Sequence, residues 1–300
     1  MKGPLPAFAR TCALAVLASA SLGYSDAWAL PDATADGGDR FPFVVAIRAQ
    51  GRLICSGTLL YPRIVVTAAH CLQQVASWRG MRIYVEDYLP PETLSVGVVK
   101  GGRTKSYAVA ETEISPHWLH SEAGQGSGMR LPHDLALLVT EEPTDVGVPL
   151  AGWDRTSPLT PSSPSGAARH RGVLVAFGGA HCLSSGVCPD AGVRRYLAVA
   201  MKDGAACFKS RRDRDAGLRF SVWCIDSSVL PGDSGGALLV EAPDGTLHYA
   251  GVISAGSGLP PALASVAAWR QSAAASLAPN LDFIRRKARA LGYEPVSSDP

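Results

Sequence analysis

Charge is scarce in this 300-residue sequence: only 18% of residues are charged, and 28 lysines and arginines face 26 aspartates and glutamates. A net charge of +2 lacks the basic excess that phosphate-backbone binding needs, so nucleic acid is not an expected partner. No segment approaches 18 consecutive apolar residues, and none is expected to span a membrane. Internal repeats at solenoid periods are missing, as is a collagen period. What is plentiful argues for a folded chain. Apolar residues make up 47%, too many at so low a net charge for disorder. The 31 glycines and 22 prolines are spread along the length, which favours many short elements joined by turns.

The first 29 residues read as a secretory signal. Lys2 and Arg10 precede an apolar run, Cys12–Leu22, about half the length needed to cross a bilayer. Ala27-Trp28-Ala29 then supplies small residues at the two positions a signal peptidase reads. A short buried helix or a retained anchor is the alternative. Cleavage after Ala29 implies a secreted protein, extracellular or periplasmic, and removes Cys12. Six cysteines remain: Cys55, Cys71, Cys182, Cys188, Cys207 and Cys224. An even count in an oxidising compartment favours three disulfides, chosen from fifteen pairings. A metal site of His181, Cys182 and Cys188 is the competing reading, but it lacks the paired C-x-x-C knuckles of structural zinc.

The body of the chain reads as β structure. Phe43–Ile47, Leu59–Thr67, Met81–Val85, Leu94–Val99, Leu135–Thr140, Val173–Phe177, Tyr196–Met201, Leu218–Trp223, Ala237–Val240 and Leu247–Ile253 are short runs of strand formers divided by turn residues. Pro243-Asp244-Gly245 signals a hairpin between the last two. One helix is expected near the end, where Leu281, Ile284, Ala288 and Leu291 share a face and Gly292 is a stop. Its Arg285, Arg286, Lys287 and Arg289 read as a solvated face near the helix C-terminus. Residues 152–172 hold three prolines and few strand formers, and read as a linker between halves of similar size. Residues 121–130 read as a surface loop.

Three separated motifs carry candidate chemistry. Gly232-Asp233-Ser234-Gly235-Gly236 sets a serine in a tight turn before a strand, where the amides of Gly232 and Ser234 can face a developing oxyanion. Thr67-Ala68-Ala69-His70-Cys71 follows an apolar strand and ends on a cysteine able to pin the histidine. His133-Asp134-Leu135 puts a carboxylate at the head of a buried strand. A serine hydroxyl is a weak nucleophile that needs a positioned base, and the base needs a group that fixes its tautomer. Ser234, His70 and Asp134 supply those three roles, and the order His, Asp, Ser belongs to one triad architecture. Taken singly, each motif is also an ordinary turn, structural histidine or strand cap. The remaining histidines, at 117, 120, 133, 170, 181 and 248, read as surface residues.

Over residues 41–292 the sequence resembles the trypsin-like (chymotrypsin-fold) serine proteases. The resemblance rests on TAAHC, GDSGG and Cys55-Ser56-Gly57-Thr58-Leu59-Leu60. It implies an all-β fold: two six-stranded antiparallel β-barrels and a C-terminal α-helix, with the triad in the cleft between the barrels. The expected organisation is a signal peptide at 1–29 and a protease domain at 30–292. Within that domain an N-terminal barrel covers about 41–151, a linker 152–172, and a C-terminal barrel and helix about 173–292. Residues 293–300 form a tail. The resemblance also implies disulfides Cys55–Cys71 and Cys207–Cys224, leaving Cys182–Cys188 to close a small loop. Ser254, Ala255 and Gly256 lie in the segment that would pair with substrate backbone.

Several positions depart from the family. Leu230 and Leu259 stand where a cysteine pair beside the specificity pocket is usual. The Cys224–Ser234 segment is short, and counting six residues back from the nucleophile puts Ser228 at the pocket floor, without an acidic selector of Arg or Lys. Asp226 lies two positions earlier. Ala255 replaces a frequent tryptophan and leaves the pocket rim more open. Family members bury a freed apolar amino terminus against the aspartate before the nucleophile, here Asp233. Signal cleavage would itself expose Leu30 to play that part, although Pro31 and the lack of adjacent glycines are unusual.

The expected activity is therefore that of a secreted serine endopeptidase, acting on peptide or protein substrates through an acyl-enzyme on Ser234. A non-catalytic binding protein on the same fold, or an esterase using the same triad, are the alternatives. No metal or organic cofactor is called for, and a monomer is expected.

Overall fold

The structure is a computed structural model that describes residues 27–28, 33–78, 81–119, 131–146, 170–179, 181–182, 188–204, 221–241, 245–255 and 272–293. Two short strands come first, β1 (Ala27–Trp28) and β2 (Thr34–Ala35). Next come β3 (Val44–Ala49), β4 (Arg52–Tyr61) and β5 (Ile64–Thr67). A hairpin of β6 (Gln73–Trp78) and β7 (Met81–Tyr88) stands apart as its own sheet. The strands β8 (Leu94–Lys100), β9 (Arg103–Ile114) and β10 (Ala136–Thr140) follow. The six strands run β10-β5-β4-β3-β8-β9 and close into an antiparallel barrel.

The second half repeats this plan. Its strands are β11 (His170–Ala176), β12 (His181–Cys182), β13 (Arg195–Asp203), β14 (Val222–Ile225), β15 (Ala237–Glu241), β16 (Leu247–Ala255) and β17 (Ser272–Ser276). The order β11-β15-β16-β17-β14-β13 closes through a β11–β13 pairing, giving the second six-stranded barrel. The N-terminal β2 adds to β13, Arg195 facing Ala35, and β1 pairs with β12. Closure removes free sheet edges, which suits a chain with few charges to guard them.

The segment expected as one strand, Leu59–Thr67, is two. Tyr61 faces Ile64 and the chain folds back at Pro62-Arg63. Proline has no N–H for a ladder, so an interior strand breaks there. Two strands carry little sequence signal. In β9 only Tyr107 and Val109 are buried among twelve mostly polar residues, and β17 is Ser-Ala-Ala-Ala-Ser, a composition that does not favour strands. Its neighbour Gly251 has to be glycine, because a Cβ there would lie 2.5 Å from the Ala275 carbonyl oxygen.

The C-terminal helix spans Leu281–Ala290 and buries Leu281, Phe283, Ile284 and Ala288. Each of the three large side chains contributes about 2 kcal/mol by leaving water. Gly292 ends the helix at φ +77°, as a residue without Cβ can; its N–H bonds the Arg289 carbonyl at 3.0 Å and that of Tyr293 the Ala288 carbonyl at 2.9 Å. Lys287 is not part of a solvated face. Its side chain is only 10% exposed and pairs with Glu111 and with Glu113, the latter at 3.3 Å, fastening the helix to the first barrel. The linker at 152–172 and the loop at 121–130 fall almost wholly outside the described residues, as does the Pro243-Asp244 part of the hairpin turn. That turn still joins β15 to β16, with Glu241 facing Leu247.

Candidate active site

Strand register brings the first two candidate residues together. Ala136 of β10 faces Thr67 of β5, so Asp134, two residues before one, lies beside His70, three residues after the other. His70 sits in a short 3-10 turn, Ala69–Cys71, and a Cys55–Cys71 disulfide ties that turn to β4. Asp134 is 1% exposed. Its Oδ1 accepts the main-chain N–H of His70 at 2.9 Å, and its Oδ2 lies 2.7 Å from His70 Nδ1. A carboxylate at Nδ1 makes that nitrogen the donor and Nε2 the basic one. Burial pulls the imidazole pKa down, but the Asp134 charge and hydrogen bond outweigh it and hold the pKa above the ordinary value.

Ser254, read as a substrate-binding residue, has a further partner that the sequence did not reveal. Its hydroxyl donates to Asp134 Oδ2 at 2.5 Å, so it steadies the carboxylate that steadies the histidine.

Ser234 lies in the turn preceding β15 and is half-buried. Gly235 presses this turn against the histidine's strand: a Cβ there would lie 2.1 Å from the Ser56 carbonyl oxygen and 2.2 Å from Thr67 Oγ1. Only glycine allows that approach, at φ +81°. Gly232 at φ +98° turns the chain before it. The Ser234 carbonyl accepts the Ser56 N–H at 2.8 Å and the Gly235 N–H reaches the Ile253 carbonyl at 2.7 Å, so both barrels hold the serine.

Asp233 is wholly buried. Its Oδ1 accepts the Gly178 N–H at 3.1 Å and its Oδ2 the Leu230 N–H at 2.9 Å. Burial pushes the carboxyl up to about 7 against the pull of those two bonds and of the Arg195 charge. Leu30, its expected partner, lies outside the described residues.

Ser228 is half-buried. The residues around it are tied to β17 through Ser272, whose hydroxyl donates to the Ser227 carbonyl at 2.7 Å and accepts the Val229 N–H at 3.1 Å. Sequence reasoning missed Ser272, since a serine heading an alanine run carries no motif. Asp226 is exposed and pairs with Lys202 at 2.9 Å. Ala255 closes β16 opposite Ala273. Gly256, Leu259 and Cys207 lie outside the described residues, while Leu230 is half-buried. Cys188 and Cys224 are each disulfide-bonded.

Among the described residues, one cluster has metal-ligand spacing: Cys55, His70 and Cys71, with ligand atoms within 4.8 Å of one another. The two sulfurs are bonded to each other, so the cluster offers no thiolate. His117 and His133 stack with ring centroids 4.7 Å apart, and His133 is half-buried rather than a free surface residue. No helix among the described residues is long and apolar enough to cross a membrane.

Comparison with known proteins agrees with the two-barrel fold. The family model described as Trypsin matches residues 33–268. A venom serine protease of Polistes dominula is 33% identical over 85 residues, 27% of this chain and 28% of that protein. Azurocidin of Sus scrofa is 52% identical over 33 residues, 11% of this chain and 13% of that protein. The matched stretches thus span well under a third of either relative. The family match covers most of the chain, the whole first barrel and all of the second but β17, and the chain belongs to the trypsin family.

Proposed function

We propose that the protein is a secreted serine endopeptidase. The observation that carries this reading is the Asp134–His70 pair: one buried carboxylate grips both the backbone and the ring of a histidine held beside the Ser234 turn. A histidine kept in one tautomer, with a raised pKa, is a prepared general base. In the reaction, Ser234 Oγ attacks the scissile carbonyl carbon while His70 Nε2 takes its proton. The resulting oxyanion is received by the N–H groups of Gly232 and Ser234. Collapse breaks the C–N bond, and His70 returns the proton to the leaving amine. Water, deprotonated by His70, then attacks the acyl-serine ester and releases the acid. Asp134 stays ionised throughout and orients the ring.

Substrate backbone would pair along Ser254, Ala255 and Gly256 as an added strand. Ser228 at the pocket floor supplies no charge, which favours apolar or mixed side chains at the cleavage site. Residues 1–29 would be removed on export to the periplasm or medium, and the Leu30 ammonium would then meet the buried Asp233 carboxylate. The protein would act as a monomer.

Digestion of a diverse peptide mixture by wild type and Ser234→Ala, read by mass spectrometry, tests this reading. Cleavage that vanishes in the variant is expected, and the cut sites report the preferred residue. No cleavage by wild type points to a binding protein instead, and ester hydrolysis without peptide hydrolysis points to an esterase. N-terminal sequencing of the active form is expected to begin at Leu30, and any other start removes that residue from the activation pair.

A further inference from the structure

We infer that Ser56, on the first barrel, is a positioning residue for the oxyanion hole in the second, an inference that rests on the endopeptidase reading above. Every polar group of this wholly buried serine is engaged. Its hydroxyl donates to the Gly232 carbonyl at 2.7 Å and accepts the Phe177 N–H at 2.8 Å. Its N–H donates to the Ser234 carbonyl at 2.8 Å, and its carbonyl accepts the Thr67 hydroxyl at 2.7 Å. The side chain thus crosses from β4 to two separate segments of the other barrel.

The two bonds made by the hydroxyl have different consequences. The Gly232 carbonyl belongs to the peptide joining Gly232 to Asp233, whose N–H bonds the Leu230 carbonyl at 3.0 Å. With both ends of that peptide fastened, its plane is fixed against Gly232, which stands at φ +98°, and the directions open to the Gly232 N–H are restricted. Glycine takes positive and negative φ about equally readily, so an external hold is what selects one of them. The Phe177 N–H immediately precedes Gly178, whose own N–H bonds Asp233 Oδ1. One hydroxyl therefore fixes the hole from both sides of Asp233. It also touches neither substrate nor the reacting atoms.

Ser56→Ala removes both hydroxyl bonds and keeps the backbone bonds to Ser234 and Thr67. The expected result is a kcat lower by about 100-fold with KM within about threefold, since misplacing a transition-state donor by about 1 Å has that effect. Affinity for a peptide trifluoromethyl ketone, which forms a tetrahedral oxyanion, should fall by the same factor as kcat/KM. Thr140→Val, which removes a buried hydroxyl bond to the Glu142 carbonyl in the first barrel, should leave kcat unchanged. Ser56→Thr separates positioning from packing. It keeps the hydroxyl but adds a methyl to a full site, so positioning predicts more activity than Ala and packing predicts less. If the Ala variant does not fold, Ser56→Gly takes its place in that comparison. A kcat within threefold of wild type in the Ala variant, or a Thr variant no better than the variant lacking the hydroxyl, overturns the inference. Hydrogen exchange gives a readout free of activity: the Phe177 amide should lose protection in Ser56→Ala. Wild type that cleaves nothing defeats the endopeptidase reading, and the Phe177 amide then still decides whether Ser56 pins the turn.

Discussion

Asp134 holds His70 at two points, Oδ1 taking the main-chain N–H at 2.9 Å and Oδ2 facing Nδ1 at 2.7 Å. Asparagine has one acceptor where aspartate has two. If its oxygen keeps the main-chain N–H, its NH2 group faces Nδ1 and forces the ring proton onto Nε2, where it cannot act as a base. Asp134→Asn is expected to lower kcat by about 10⁴-fold with thermal stability little changed. In wild type the acid limb of kcat/KM should lie above 6.5, because His70 is held above that ordinary value. A limb below 6.5 would contradict the pairing.

Ser254 shares Oδ2 of the same carboxylate with His70 Nδ1. Its hydroxyl draws off part of the negative charge that the imidazolium would otherwise feel. Ser254→Ala should lower kcat by up to about tenfold, equivalent to about 1.4 kcal/mol, as one hydrogen bond to a charged group is lost. It should also move the acid limb of the pH profile upward, a shift that simple loosening of the fold does not produce.

Much of this was legible in the sequence, and the reasons it was legible are physical. His70, Asp134 and Ser234 each stand in a local context that marks them, and the β5–β10 register then brings the first two together. Leu281, Ile284 and Ala288 repeat at helical spacing, and Gly292 ends that helix with a positive φ. Signals failed where a residue acts through a distant partner. Ser56 and Ser272 look like any other serine until a segment 176 or 45 residues away in sequence comes into contact. Lys287 looked like solvated charge because Glu111 and Glu113 belong to another element. The strand β17, Ser-Ala-Ala-Ala-Ser, lacks the usual formers and is held by its ladders to β14 and β16, which the sequence does not show.

Asp226, in the segment between Cys224 and the nucleophile, is exposed and paired with Lys202 at 2.9 Å. An exposed ion pair contributes about 0–1 kcal/mol. Asp226→Ala should therefore leave the pattern of cleavage sites unchanged and stability within about 1 kcal/mol. A preference for Arg or Lys in wild type that disappears in the variant would instead make Asp226 the selector.

The Asp233 carboxyl, raised to about 7 in the fold, titrates near 3.8 when unfolded. Between those values the folded state binds the extra proton, so stability falls as pH rises from about 4 to about 7. A Leu30 ammonium against the carboxylate would lower the folded value and flatten that slope. Urea unfolding between pH 4 and 7 should show a steeper loss for protein acetylated at Leu30 than for protein with a free amine. In Asp233→Asn the two forms should show the same slope. Equal slopes in the acetylated and free forms would rule out Leu30 as the partner of Asp233.

The segment that follows β2 is anchored on Arg194, whose side chain is 1% exposed. Its guanidinium reaches Asp36 at 2.7 Å, Asp39 at 2.8 Å and the Val99 carbonyl at 3.0 Å. Asp36 also accepts the N–H groups of Arg40 at 2.9 Å and Phe41 at 3.0 Å, and its own N–H bonds the Arg194 carbonyl at 2.8 Å. Although burial alone would raise it, these bonds and the Arg194 charge hold the Asp36 pKa below the ordinary carboxylate value. Arg194→Gln would strand a buried carboxylate, at about 3–5 kcal/mol of stability, with the two remaining N–H bonds favouring the lower end. The contribution of Asp36 is present above 3.8 and is lost as pH falls through its lower folded value. The variant should therefore lose less stability on acidification than wild type. Because β2 lies on β13 immediately beside this pair, amide exchange at residues 34–36 should accelerate more than in the core of either barrel. If exchange there stays at the wild-type rate, β2 is held by its ladder alone and Arg194 does not guide the N-terminal segment.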